Sequence, residues 1–252
     1  AGIAAPMAAS AQPDEAWRVN VFGARNLGRA ILDKAPQCCL LHVGSGLIYG
    51  GSARSGLALD EDTVLDPLDD YGVTKASADL AMGALATKGL NVVRFRPFNH
   101  TGPGQSEHFV VPAFASQIAR IEAGLVEPVL RVGNLEAERD FLDVRDVLEA
   151  YLRAIDHSGA IVPGSIYNVA SGVPRRIADI LQALLSMSST DIAVEHDEAR
   201  MRPSDLPKII GNSSKAAAEL GWSVRHPFAQ TLQQILEDCR RKVGSSLSGK
   251  KV

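Results

Sequence analysis

The sequence predicts an α/β fold with a parallel sheet, and three observations carry that expectation. Short apolar runs of strand length alternate along the chain with longer stretches of helical periodicity. One such run, Cys38 to Val43, has the look of a buried parallel strand and is followed at once by Ser45. Tyr71 and Lys75 then stand four residues apart in a helical segment, so both side chains emerge on one face. A serine at a strand's carboxyl end and a Tyr–Lys pair on the next helix can converge on one crevice, the place where open α/β sheets bind ligands.

The elements follow in order. Residues 1–12 read as a loop. Pro13 to Lys34 reads as a helix, with Pro13 in a tolerated first-turn position and Val19, Phe22, Leu27 and Ile31 on its apolar face. The serine strand comes next, then a loop from Gly50 to Leu68 rich in Gly, Ser, Asp and Pro, whose acids Asp60, Glu61 and Asp62 read as solvated surface. Asp69 or Asp70 can cap the Tyr71–Lys75 helix, which runs to Lys88 with Gly89 behind it. Leu90 to Arg96 is a strand that Pro97 stops, and a turn-rich loop through Gln105 precedes a helix from Phe109 to Gly124. Val129–Val132 is a strand, Val147–Asp156 a helix, Ser165–Ala170 a strand, Arg176–Met187 a helix and Ile192–Glu195 a strand. A last helix, Pro227 to Lys242, leads into a polar tail, residues 241–252.

Composition excludes several classes. The 252 residues are 46% hydrophobic and 22% charged with a net charge of −3, ordinary for a soluble globular chain of one or two domains. Interspersed signs give no basic face for nucleic acid or an anionic membrane, and no run approaches a membrane span. The opening AGIAAPMAAS lacks a basic region and an apolar core, so it does not read as a signal peptide. Three cysteines, two of them adjacent (Cys38 and Cys39, expected inside a buried strand) and Cys239 far off, have neither disulfide nor metal-ligand spacing, and the chain reads as a cytoplasmic protein with free thiols and no metal site.

The chemistry asks for the three marked residue types. A tyrosine hydroxyl has an ordinary pKa of about 10, and a nearby ammonium favours its phenolate, so Lys75 is expected to lower the Tyr71 pKa. The Ser45 hydroxyl can donate to a substrate oxygen and hold it against the tyrosine. Such a set moves a proton on and off an alcohol or carbonyl.

The motifs around it, SGLIYG before and RFRPFNHTGPGQ after, with RDFLDVRDV and RPSDLPKIIGNSSK further on, resemble the extended short-chain dehydrogenase/reductase family of nucleotide-sugar epimerases, dehydratases and reductases over roughly residues 1–240. The resemblance implies a Rossmann-type sheet over residues 1–100, N-terminally incomplete, with about residues 130–170 returning to it and a smaller α/β substrate domain over 101–240. It implies NADP or NAD as cofactor, NADPH ahead of NADH, held by Gly2, Val43, Tyr71, Lys75, Pro97, Phe98 and His100. Ser45, Tyr71 and Lys75 become the catalytic set. Ser45, Asn99, Arg139, Arg202 and Asp205 become the substrate contacts, with the two arginines on a diphosphate, where bidentate guanidinium is apt. Asn20 matches a family asparagine and reads as a structural hydrogen-bonding residue. Asp140, Asp143, Arg145 and Asp146 read as an ion-pair and capping cluster. A homodimer through a four-helix bundle of helices 14–34 and 72–88 completes the picture.

Two departures refine it. No G-x-x-G-x-x-G turn is present, so the chain is expected to lack a first βαβ unit. Where the resembling GDP-mannose 4,6-dehydratases carry a proton-abstracting glutamate, two residues before Tyr49, this chain has Leu47, which cannot do acid–base work. The expectation is therefore reduction of the C4 ketone of a GDP-linked 4-keto-6-deoxy sugar to GDP-rhamnose. An epimerase or dehydratase of the same family is the alternative, and a non-catalytic nucleotide-sugar-binding relative the second.

Overall fold

The computed structural model describes residues 2–200 and 206–248. The stretch expected as a leading loop contains a helix, α1 (Pro6–Ala11), opened by a proline whose missing N–H costs a first turn nothing. The expected helix 13–34 is present as α2 (Pro13–Ala16), a π-helical run Trp17–Gly23 and α3 (Ala24–Lys34), with helical backbone across both junctions. β1 (Leu40–Val43) is shorter than expected: Cys38 and Cys39 precede it, and Cys38 is exposed. A 3-10 segment, Gly46–Ser55, fills the first part of the expected loop.

The helix carrying the Tyr–Lys pair, α4 (Asp70–Ala86), starts where the Asp69 carboxylate accepts the Gly72 N–H at 2.6 Å. β2 (Val92–Pro97) and β3 (Asn99–Thr101) follow, then α5 (Val110–Glu122), β4 (Val129–Val132) and β5 (Glu138–Asp143). α6 (Val144–Asp156) begins three residues before the expected start because Asp143 caps it, accepting the Arg145 N–H at 2.8 Å. β6 (Ile166–Val169), β7 (Pro174–Arg176), α7 (Ile177–Leu185), β8 (Ala193–His196), β9 (Lys208–Ile209) and α8 (Ser214–Leu220) lead to α9 (Phe228–Ser248), which continues through much of the expected polar tail.

β1, β2 and β6 form one parallel sheet in that order. β3, β5 and β7 form a second, with β9 on β5, and β4 pairs in parallel with β8. β2, the middle strand of the first sheet, is buried between helices on its two faces, as in a parallel sheet, while the edge strand β1 is only half-buried. Val92 packs with Met82, Leu85 and Leu90 beside α4, while Val93 and Phe95 pack with Val147, Ala150 and Tyr167 beside α6. A separate core joins α5, α7 and α9 around Phe114, Ile118, Leu184 and Leu236. Among the described residues no helix is long and apolar enough to cross a membrane.

Gly50 links the serine strand to the loop beyond it. Its φ is +44°, and a Cβ there would lie 1.9 Å from the Asp66 carbonyl oxygen, which accepts the Gly51 N–H at 2.7 Å. Gly50→Ala is expected to destabilise the protein by more than about 1 kcal/mol, read as a lower urea midpoint at unchanged slope.

Candidate active site

β1 ends at Val43, and the chain turns through Gly44 so that Ser45 comes to lie beside α4. The turn is tight, since a Cβ on Gly44 would meet the Phe95 carbonyl at 2.8 Å. Ser45 is buried; its Oγ accepts the Leu47 N–H at 3.2 Å, and it lies near enough to the Tyr71 hydroxyl to act on the tyrosine pKa. One turn along α4, the Lys75 Nζ donates to the Val43 carbonyl at 2.6 Å. Strand end and helix are thus joined by polar contacts from both members of the Tyr–Lys pair.

The electrostatics differ from the expectation in one respect. Burial raises the Tyr71 pKa above the usual tyrosine value, the Ser45 hydrogen bond acts against that rise and the Asp69 charge adds to it; Lys75 is not among the causes. Burial also lowers the Lys75 pKa. In this arrangement Tyr71 is a protonated, desolvated acid, and the ammonium is directed at a backbone carbonyl.

A cleft of about 700 Å³ opens on this side of β1, lined by Gly2, Asn20, His42, Val43 and Lys75 among others. It collects three of the expected cofactor residues, Gly2, Val43 and Lys75. Asn20 is buried; it accepts the Ile3 N–H at 2.8 Å and donates to the Ile3 carbonyl at 3.1 Å and to Thr74 Oγ1 at 3.2 Å. It ties the cleft wall at residues 2–4 to α4, the structural role expected of it. The residues present suit the nicotinamide end of a dinucleotide: a half-buried ammonium and a glycine backbone face one space.

The remaining expected residues are more dispersed. Pro97 closes β2, and Phe98 is buried, its ring stacked on Tyr49 with centroids 6.2 Å apart and lying against Gly46 and Gly211. The His100 ring Nδ1 is 2.9 Å from the Phe98 carbonyl oxygen. Asn99 pairs with Phe141 across the β3–β5 ladder, two residues along β5 from Arg139, whose Nη1 donates to the Glu138 carbonyl at 2.7 Å. Arg202 and Asp205 lie outside the described residues. The acidic trio of the loop is not uniformly solvated: Glu61 accepts the Asn168 N–H at 2.7 Å, and burial raises its pKa. The Asp140–Asp146 cluster is structural as expected. Asp140 takes the N–H groups of Ser171, Gly172 and Gly211, and Asp146 takes those of Arg225 and His226.

Two features escaped the sequence reading. Asp79, fully buried one turn beyond Lys75, bridges Arg94 at 3.1 Å and Arg96 at 2.9 Å, and Arg96 reaches on to the Tyr49 hydroxyl at 2.9 Å. Alternate arginines in an otherwise apolar strand, facing a helix acid, were the available signal. The second is His42, whose Nε2 is buried without a hydrogen-bond partner among the described residues. Burial, with help from Lys75 and Arg94 and against the pull of Asp79, lowers its pKa to about 4. The unfolded chain then takes up a proton near pH 6.5 that the folded chain refuses. Stability from this group is complete above pH 6.5 and declines as pH falls towards 4, by about 1–3 kcal/mol. His42→Leu is expected to flatten that decline in urea melts collected across this window.

A family model described as GDP-mannose 4,6 dehydratase matches residues 1–235. The chain is 35% identical over 232 residues to the GDP-6-deoxy-D-mannose reductase of Pseudomonas aeruginosa, covering 92% of this chain and 75% of that one. It is 27% identical to the GDP-6-deoxy-D-talose 4-dehydrogenase of Aggregatibacter actinomycetemcomitans, covering 88% of this chain and 71% of that one. The solved structure of RMD from Pseudomonas aeruginosa complexed with NADPH superposes with a TM-score of 0.89 at 32% identity, over 96% of this chain and 80% of that one.

Proposed function

Because this chain belongs to the GDP-mannose 4,6-dehydratase family, we propose that it is an NADPH- or NADH-dependent reductase that converts the C4 ketone of a GDP-linked 4-keto-6-deoxy-mannose to the alcohol, giving GDP-rhamnose, in deoxysugar biosynthesis. The observation that carries the reading is the placement of buried Ser45 beside Tyr71, with Lys75 one turn away along the same helix at the cleft. Support comes from the likeness to a reductase of a GDP-linked deoxysugar and to a structure that holds NADPH. Leu47, half-buried against Ile3 and Tyr71, removes the acid–base group that dehydration needs.

When bound, reduced nicotinamide supplies a hydride to the C4 carbon. Lys75 would hold the nicotinamide ribose and Pro97, Phe98 and His100 would lie by the ring, with the backbone at Gly2 next to the pyrophosphate and Val43 on the cofactor side of the cleft. Asn99, Arg139, Arg202 and Asp205 hold the nucleotide and its diphosphate, so that remote binding energy positions the sugar. Ser45 and Tyr71 hydrogen-bond the C4 oxygen. As negative charge develops there, Tyr71 gives its proton, and the C4 alcohol and oxidised nicotinamide are left with a tyrosinate that solvent reprotonates.

The division into a dinucleotide-binding part, residues 1–100 with about 130–170 returning, and a substrate part over 101–240 is supported by β6 joining β1 and β2 while α5, α7 and α9 form a core of their own. A homodimer through helices 14–34 and 72–88 is supported by exposed Phe22, Leu27 and Leu80 on them.

The test follows the label. Full-length protein given GDP-4-keto-6-deoxy-mannose and NADPH or NADH carrying deuterium at the transferable position should yield a sugar with deuterium at C4. Recovery of an unlabelled isomer would move the assignment to an epimerase, and untouched sugar with bound nucleotide would move it to a binding protein.

A further inference from the structure

Leu47 stands two residues beyond Ser45 and is held on three sides. Its backbone N–H donates to Ser45 Oγ at 3.2 Å, so one lone pair of that hydroxyl is already committed. Its carbonyl lies close over the first turn of α4, where a Cβ on Gly72, the residue after Tyr71, would be 3.2 Å from the carbonyl oxygen. Its side chain sits between two apolar clusters. One joins Ile48, Tyr49 and Phe98; the other is Ala9, Ala16 and Tyr71, with Ile3 packed on it.

Tyr71 is thereby walled by side chains that neither donate nor accept a hydrogen bond. Ala9 and Ala16, from α1 and α2, are fully buried, and Tyr71 itself is 8% exposed. Ile3 is fixed in the wall because Asn20 accepts its N–H at 2.8 Å and donates to its carbonyl at 3.1 Å. Few charged or titratable groups act across this surface. Asp69 at the start of α4 raises the Tyr71 pKa, Tyr151 of α6 feels the Tyr71 charge, and Lys75 is turned to the Val43 carbonyl. Desolvation is the leading cause of the raised value, because an apolar surround favours the neutral phenol. Leu47 belongs to this wall and, through its backbone, also touches Ser45.

We propose that Leu47 is a positioning residue for the proton transfer: its backbone fixes the Ser45 hydroxyl, and its side chain keeps water from the Tyr71 phenol, so that the C4 oxygen receives the proton. The proposal rests on the reductase reading above and gives a task to a residue whose type otherwise only rules out dehydration.

Tyrosinate absorbance tests it without turnover. The pH titration of full-length protein, less that of its Tyr71→Phe variant, isolates Tyr71 from Tyr49, Tyr151 and Tyr167. A polar side chain at position 47 would admit water and solvate the phenolate, so Leu47→Asn should bring the Tyr71 ionisation down by at least about one pH unit. The alkaline limb of ketone reduction should move down with it. Leu47→Met keeps the volume and the apolar character and should titrate within about 0.3 pH unit of wild type. Leu47→Ala opens the wall without adding a polar group, should move in the same direction as Leu47→Asn, and serves if the asparagine variant folds poorly. Titrations of Leu47→Asn and Leu47→Ala that coincide with wild type would overturn the role of Leu47 and leave the reductase reading standing. A titration that moves in these variants while the wild type reduces no ketone would overturn the reductase reading, and with it the proton transfer that Leu47 serves.

Discussion

Tyr71→Phe is expected to lower the rate of ketone reduction by about 10²–10⁴-fold, the usual worth of a positioned general acid. The substitution removes one oxygen from a side chain packed with Ala9, Ala16, Ile3 and Leu47, so the helix and the cleft keep their shape. Lys75 keeps its bond to the Val43 carbonyl, and cofactor affinity should hold within a few-fold. Ser45 cannot take over, because a serine hydroxyl is a far weaker acid than a phenol. The pH profile carries a second signature. Since burial holds the tyrosine pKa above its ordinary value, reduction by the wild type should be level through neutral pH and decline only as alkaline pH removes the phenolic proton. In Tyr71→Phe that alkaline limb should vanish from the residual rate.

Asp79→Ala is expected to cost about 3–5 kcal/mol of stability, because it strips the only carboxylate that two guanidiniums under the sheet have among the described residues. Asp79 is fully buried and Arg96 nearly so, while Arg94 keeps a small part of its side chain exposed. Urea unfolding should show a markedly lower midpoint with an unchanged slope. The triple replacement Asp79→Leu, Arg94→Met, Arg96→Met should be less destabilised than Asp79→Ala, since no buried charge is then left alone. Because Asp79 lies one turn from Lys75, any catalytic loss in Asp79→Ala should recover in the triple replacement as α4 regains its seat.

Much of this site was legible in the sequence for definite reasons. Ser45, Tyr71 and Lys75 sit at a strand end and on one helical face, and both regularities depend only on local periodicity. The branch point at Leu47 was likewise a matter of residue type. Boundaries were less secure: α1 lies in a stretch of alanines that turn-poor loops also favour, and α9 runs past Lys242 through serines and a glycine that read as a tail. Cys38 and Cys39 look apolar enough for a strand, yet the ladder starts only at Leu40, opposite Val92. Long-range pairing stayed hidden. Glu61 looked like one more acid in a solvated loop until the fold brought it to Asn168, more than 100 residues away. The high pKa of Tyr71 comes from packing, which no spacing of residues reveals.

The central claim is net transfer of reducing equivalents to the sugar, and nicotinamide absorbance reads it most directly. Full-length protein with GDP-4-keto-6-deoxy-mannose and either NADPH or NADH should consume one reduced nicotinamide for each sugar converted, with the faster coenzyme naming the preferred one and Tyr71→Phe nearly silent. Conversion of the sugar with no net loss of absorbance, or a loss that Tyr71→Phe leaves intact, would contradict it.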